Sequence, residues 1–123
     1  MSYLTDRKRA TGMGSAKTGT AHHWGMTVSA CMLLVLVPLF IFTFGSMLGE
    51  DQATVVAYYA RPFPAIIAAT TIIIGMLHFK NGVQIMIEDY VHGLARKVLI
   101  IGMIGVSYAI MATGLYGLAK IAF

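Results

Sequence analysis

The stretch MTVSACMLLVLVPLFIFTFGSML, residues 26–48, carries no charged side chain. It is long enough to cross a bilayer, which takes about 20 apolar residues in a helix. Two further stretches meet that length. One runs from about Pro64 to Ile87, the other from about Val98 to Ala122, where the only charge is Lys120. None alternates with a period of two, and all far exceed strand length. Backbone groups in lipid must find their partners within the segment, which leaves helices as the economical solution. The sequence therefore predicts an all-α membrane protein with three transmembrane helices, spanning about 26–48, 64–87 and 98–122. Residues 1–25 form an N-terminal arm and residues 26–123 the membrane domain. Only 11% of the residues are charged, against about 25% in an ordinary soluble domain. That is too little to wet a globular surface.

Basic residues in short flanks orient such a bundle. The arm holds Arg7, Lys8, Arg9 and Lys17, and EDYVHGLARK between the second and third spans holds Arg96 and Lys97. GEDQATVVAYYARP, between the first two, holds Arg61 beside Glu50 and Asp51. The N-terminus and the second connection are expected on the cytoplasmic side of a bacterial inner membrane, or the matrix side in an organelle. The basic residues gather at segment ends, so a nucleic-acid face is not expected. A cleaved leader is not expected either, because the first apolar run is long and no A-x-A site follows it. Cys31 is the only cysteine, which excludes a disulfide within the chain. Pro38 should kink the first span. In the third, Gly105, Ala109, Thr113 and Gly117 form a stripe of small residues suited to close helix contact, which suggests a larger bundle.

The second span ends in HFKNGVQIMIEDYVHG, residues 78–93. An ionisable residue inside a span is a functional candidate. His78 is the deepest, about 14 Å from Ile87 at 1.5 Å per residue. At 100° per residue, Gly75, His78, Gly82 and Asp89 share one helix face. Glycines on both sides of the imidazole would clear room for a flat porphyrin. An imidazole simply hydrogen-bonded to a neighbouring helix is the alternative. A six-coordinate haem needs two axial ligands, and no second histidine lies at matching depth, so the other would come from a partner chain. Asp89 and Tyr90 mark the interface. A phenol can donate to a quinone carbonyl and a carboxylate can orient it or relay protons; equally, Tyr90 suits the interfacial aromatic belt and Asp89 could pair with Arg96. Lys80 lies about 200° from His78 and is expected to snorkel to the interface, with an ion pair to another chain the alternative. Gln84 is expected to bond between helices.

The pattern H-x-x-x-G-x-x-x-x-x-x-D-Y, here His78, Gly82, Asp89 and Tyr90, resembles the small hydrophobic membrane anchors of succinate dehydrogenase, respiratory complex II. GVQIMIEDYVHG and the N-terminal GSAKTGTAHHW are similar to the alphaproteobacterial and mitochondrial-type branch. The resemblance implies that His78 is an axial ligand of a b-type haem, opposite a histidine of the companion cytochrome b subunit. It implies that Tyr90, with Asp89 beside it, binds ubiquinone near the cytoplasmic face. His22 would lie near the haem propionates. The iron–sulfur protein of the complex would dock on the same face, carrying electrons from a flavoprotein that oxidises succinate. One departure stands out. The family commonly has an arginine six residues after that histidine, and here the position is Val28, so the propionates lose a usual partner.

Two other function classes fit part of the pattern. One is a purely structural membrane anchor without haem. The other is a small transporter or channel component using Glu88 or Asp89 as a proton carrier, although such carriers usually sit near the midplane.

Overall fold

Residues 3–123 are described by the computed structural model, and the first two residues of the arm lie outside them. In chain order the helices are α1 (Asp6–Thr11), α2 (Ala21–Gly45), α3 (Gln52–Tyr59), α4 (Pro62–Tyr90) and α5 (Gly93–Ala122). Among the described residues there is no strand. Three helices, α2, α4 and α5, are long and apolar enough to cross a membrane. The protein is all-α with three candidate spans, as the apolar runs require.

The helices outrun the spans expected from hydrophobicity. With 29 and 30 residues, α4 and α5 measure about 44 and 45 Å, against a hydrocarbon core of about 30 Å. Their ends therefore reach into the polar layers. α2 begins at Ala21 and takes in His22, His23, Trp24 and Gly25 ahead of the apolar run. It then continues unbroken through Pro38. α4 starts at Pro62, whose fixed φ suits the first helical position. The expected loop EDYVHGLARK is mostly helix. Glu88 to Tyr90 close α4, Val91 and His92 are extended, and α5 opens at Gly93. Gly93 takes a φ of +68°, a left-handed conformation that glycine adopts without a Cβ clash. The expected loop between α2 and α4 likewise contains α3, with Asp51 at its N-cap. Thr54 donates its hydroxyl to the Asp51 carboxylate, which holds that carboxyl below its ordinary range.

α4 is the central helix. α2 packs along one side and α5 along another, with no packed contact between α2 and α5. Along the α2–α4 seam Met26 packs against Gly82, its methyl carbon 3.7 Å from where a Cβ would stand. Along the α4–α5 seam Ile72 packs against Gly114, 3.5 Å from the corresponding point. The stripe Gly105–Ala109–Thr113–Gly117 is not the seam within the chain. Nothing lies within 4 Å of a Cβ built on Gly105 or Gly117. Gly114, Ser107 and Met103 face inward instead.

Burial is sparse. Among the described residues Thr43, Tyr59, Pro64, Ile67, Ala68, Ile87 and Ser107 are buried, and no large side chain is fully enclosed. Most apolar side chains point outward, so lipid or other chains must cover them. Several hydroxyls inside the spans are satisfied by their own helix. Thr43, Thr71 and Thr113 donate to the carbonyls of Leu39, Ile67 and Ala109 at 2.9, 2.7 and 2.8 Å, which avoids an unpaired polar group in lipid.

Candidate functional site

His78 lies in the second half of α4, half-buried, on the side that faces α2. Its Nδ1 is 2.8 Å from Ser29 Oγ. Ser29 Oγ in turn lies 2.8 Å from the Gly25 carbonyl oxygen and 3.0 Å from that of Met26. Among the described residues this is the one side-chain hydrogen bond that joins two helices. The helix–helix bond expected of a merely structural imidazole is thus present, and it engages one ring nitrogen. Nε2 makes no hydrogen bond to the described residues. Nothing in the sequence singles out Ser29, because a serine or threonine in a span most often bonds to its own helix. Thr27 does just that, donating to His23 at 3.0 Å.

The glycine-cleared face is half as expected. A Cβ on Gly75 would meet nothing within 4 Å, so space is open there, whereas Met26 fills the space beside Gly82. His22 stands in the first turn of α2 and is exposed. It lies seven residues, two helical turns, before Ser29, and so on the same face about 10 Å nearer the N-terminal end. Val28 is exposed on another face of α2, beside a cavity lined with Trp24 and Cys31. Lys80 is half-buried, and the one ion pair among the described residues joins Arg9 to Asp6. Gln84 donates to Glu88 at 3.0 Å within α4, one turn on, instead of bridging helices.

Asp89 and Tyr90 close α4 and are both exposed. Asp89 is eleven residues from His78, back on the α2-facing side and about 16 Å further along. Tyr90, one position on, turns about 100° away. It lines an open groove of 790 Å³ between α4 and α5, with Phe79, Val83, Leu99 and Met103 among its walls. The groove is almost wholly apolar. Asp89 makes no ion pair with Arg96. The structure therefore brings His78 and Ser29 together and places Asp89 and Tyr90 at the same end of the helix bundle as His22. Among the described residues no cluster of three His, Cys, Asp or Glu side chains could hold a bare metal ion.

The chain matches the family model described as succinate dehydrogenase/fumarate reductase transmembrane subunit over residues 1–116. It is 48% identical over 120 residues to the succinate dehydrogenase hydrophobic membrane anchor subunit of Paracoccus denitrificans, covering 98% of this chain and 93% of that one. It is 29% identical over 93 residues to the succinate dehydrogenase membrane anchor subunit of Reclinomonas americana, covering 73% and 78%. The hydrophobic membrane anchor of Rickettsia conorii succinate dehydrogenase is 27% identical over 97 residues, 76% of each chain. No solved structure gives a significant match.

Proposed function

This chain belongs to the succinate dehydrogenase/fumarate reductase transmembrane subunit family and is a multi-pass membrane anchor of succinate dehydrogenase; from that premise we propose that it co-binds a b-type haem and ubiquinone with a companion cytochrome b chain. The observation that carries the proposal is His78: an imidazole deep in α4 with Nδ1 engaged by Ser29 and Nε2 free of any partner among the described residues. A neutral imidazole with one nitrogen hydrogen-bonded and the other bare is the donor that haem iron takes. The open space beside Gly75 suits a flat ring against the helix. The residues present therefore fit the group.

His78 would hold the haem iron together with a histidine of the cytochrome b chain. When bound, haem supplies a one-electron carrier between the two chains. His22, on the same face of α2 nearer the wet end, would hydrogen-bond a propionate. Val28 offers no charge there, so the usual arginine has no substitute at that position. Tyr90 would donate its hydroxyl to a quinone carbonyl oxygen, and Asp89 would hold or pass a proton beside it. Two electrons and two protons convert a quinone to a quinol. The electrons come from succinate, oxidised by the flavoprotein and relayed by the iron–sulfur protein. The N-terminal arm, Asp89 and Tyr90 would face the cytoplasm of a bacterium with this complex in its inner membrane.

A second reading keeps His78 only as a helix contact in a haem-free structural anchor, and the Ser29 bond suits that as well. A reduced-minus-oxidised spectrum of the purified complex separates the two. The expected result is a b-type signal in the wild type that His78→Ala abolishes. A wild type without the signal, or a variant that keeps it, overturns the haem assignment.

A further inference from the structure

We infer that Ser29 is a positioning residue for His78: its hydroxyl accepts the Nδ1 proton, fixing the tautomer that leaves Nε2 bare for iron. The inference rests on the haem reading above and deepens it.

One oxygen has three neighbours. Ser29 Oγ lies 2.8 Å from Gly25 O, 3.0 Å from Met26 O and 2.8 Å from His78 Nδ1. A hydroxyl carries one proton. If that proton went to Nδ1, Oγ would face two carbonyl oxygens at hydrogen-bond distance with nothing between them but lone pairs. If instead Nδ1 carries the proton, each contact has a hydrogen, the hydroxyl proton being shared between the Gly25 and Met26 carbonyls. Nδ1–H donates to Oγ, and Oγ–H donates back to the α2 backbone. In a neutral imidazole a proton on Nδ1 leaves Nε2 as the acceptor.

The arrangement also sets where the ring stands. The hydroxyl is held by the backbone of its own helix, one turn back, so the imidazole is registered to α2 and not only to α4. Met26 against Gly82, one turn away, fixes the spacing of the two helices at this level. A hydrogen bond accepted from the distal N–H raises the basicity of the ligating nitrogen and orients the ring. A more basic ligand favours ferric over ferrous iron and lowers the reduction potential.

The test is redox titration of the b-type haem in the assembled complex, comparing wild type, Ser29→Ala and Ser29→Thr. Thr is the conservative variant, because Thr27, Thr43, Thr71 and Thr113 all hold the same backbone bond in this chain. Dye-linked succinate oxidation in the same membranes reports assembly. The expected result is that Ser29→Ala keeps a haem whose potential is raised. A tenfold loss of ferric preference corresponds to about 59 mV for one electron. Ser29→Thr returns it to the wild-type value. Loss of haem in Ala with retention in Thr supports the role equally. An unchanged potential in Ala, or Thr behaving as Ala, overturns it. A wild-type complex without haem sinks the parent reading instead.

Discussion

Ser29 Oγ and His78 Nδ1 lie 2.8 Å apart although 49 residues separate them in the chain. The pair ties α2 to α4 at a depth where water is scarce, so an unmade bond would leave a polar group uncompensated. It also leaves the imidazole with one nitrogen bonded to α2 and one without a partner among the described residues. Substitutions around this pair and along the neighbouring helices have distinct expected outcomes.

His22→Ala should keep a b-type spectrum but lower haem retention. The residue lies two turns from Ser29 on the same face of α2, toward the polar layer, and is exposed. Losing a hydrogen bond to a charged propionate costs about 1.5–3 kcal/mol, or roughly tenfold or more in retention. Haem content measured through repeated detergent washes checks this. Unchanged retention would remove His22 from the site.

Tyr90→Phe should slow quinone reduction while dye-linked succinate oxidation survives. Removal of one neutral hydrogen bond costs about 1 kcal/mol, so kcat/KM for quinone should fall by about fivefold to tenfold. The aromatic ring stays in the groove, so packing is preserved. Equal retention of both activities would count against the tyrosine.

Gly114→Ala should assemble normally and Gly114→Leu should not. The point where a Cβ would stand is 3.5 Å from Ile72, ordinary contact for a methyl group. Additional carbons must push α5 from α4, and overpacking typically costs about 1–3 kcal/mol. Thermal inactivation of the complex distinguishes the two. Identical melting of both variants would mean that the α4–α5 seam lies elsewhere.

Gly93→Ala should destabilise the turn into α5. The φ of +68° is left-handed, and a Cβ there costs about 1–2 kcal/mol. The measurable consequence is a lower Tm for the assembled complex, with the haem spectrum unchanged. A Tm equal to wild type would show that the turn relaxes freely.

Orientation can be read with cysteine labelling. In a Cys31→Ser background, Ser15→Cys should react with a membrane-impermeant maleimide only in inside-out vesicles. Gln52→Cys, at the start of α3, should react only in right-side-out vesicles. The reverse pattern would invert the topology expected from the basic flanks.

Much of the fold is legible in the sequence because its cause is local. The uncharged run of residues 26–48 needs lipid around it and internal backbone bonding, whatever else the chain does. The spacing of His78, Gly82 and Asp89 likewise follows from helix periodicity and needs no partner. The helix ends are harder. Glu88, Asp89, Arg96 and Lys97 are charged, so the apolar runs stop short of them, yet backbone hydrogen bonding carries the helices into the interface. The short α3 escapes for a related reason: eight residues between two spans carry no long apolar run to announce it. Gln84 is expected to reach another helix and instead bonds Glu88, since a partner one turn away is nearer than one across a seam.

The class, the number of spans and the candidate groups are legible along the chain, because hydrophobic length, helical period and residue chemistry are local properties. How those groups meet is a property of the packed helices. Packing lined Tyr90 along a groove between α4 and α5, gave Gly114 the seam in place of the Gly105 stripe, and set Ser29 against His78. These are matters of register between helices, which side-chain shapes across the contact settle and no single segment contains.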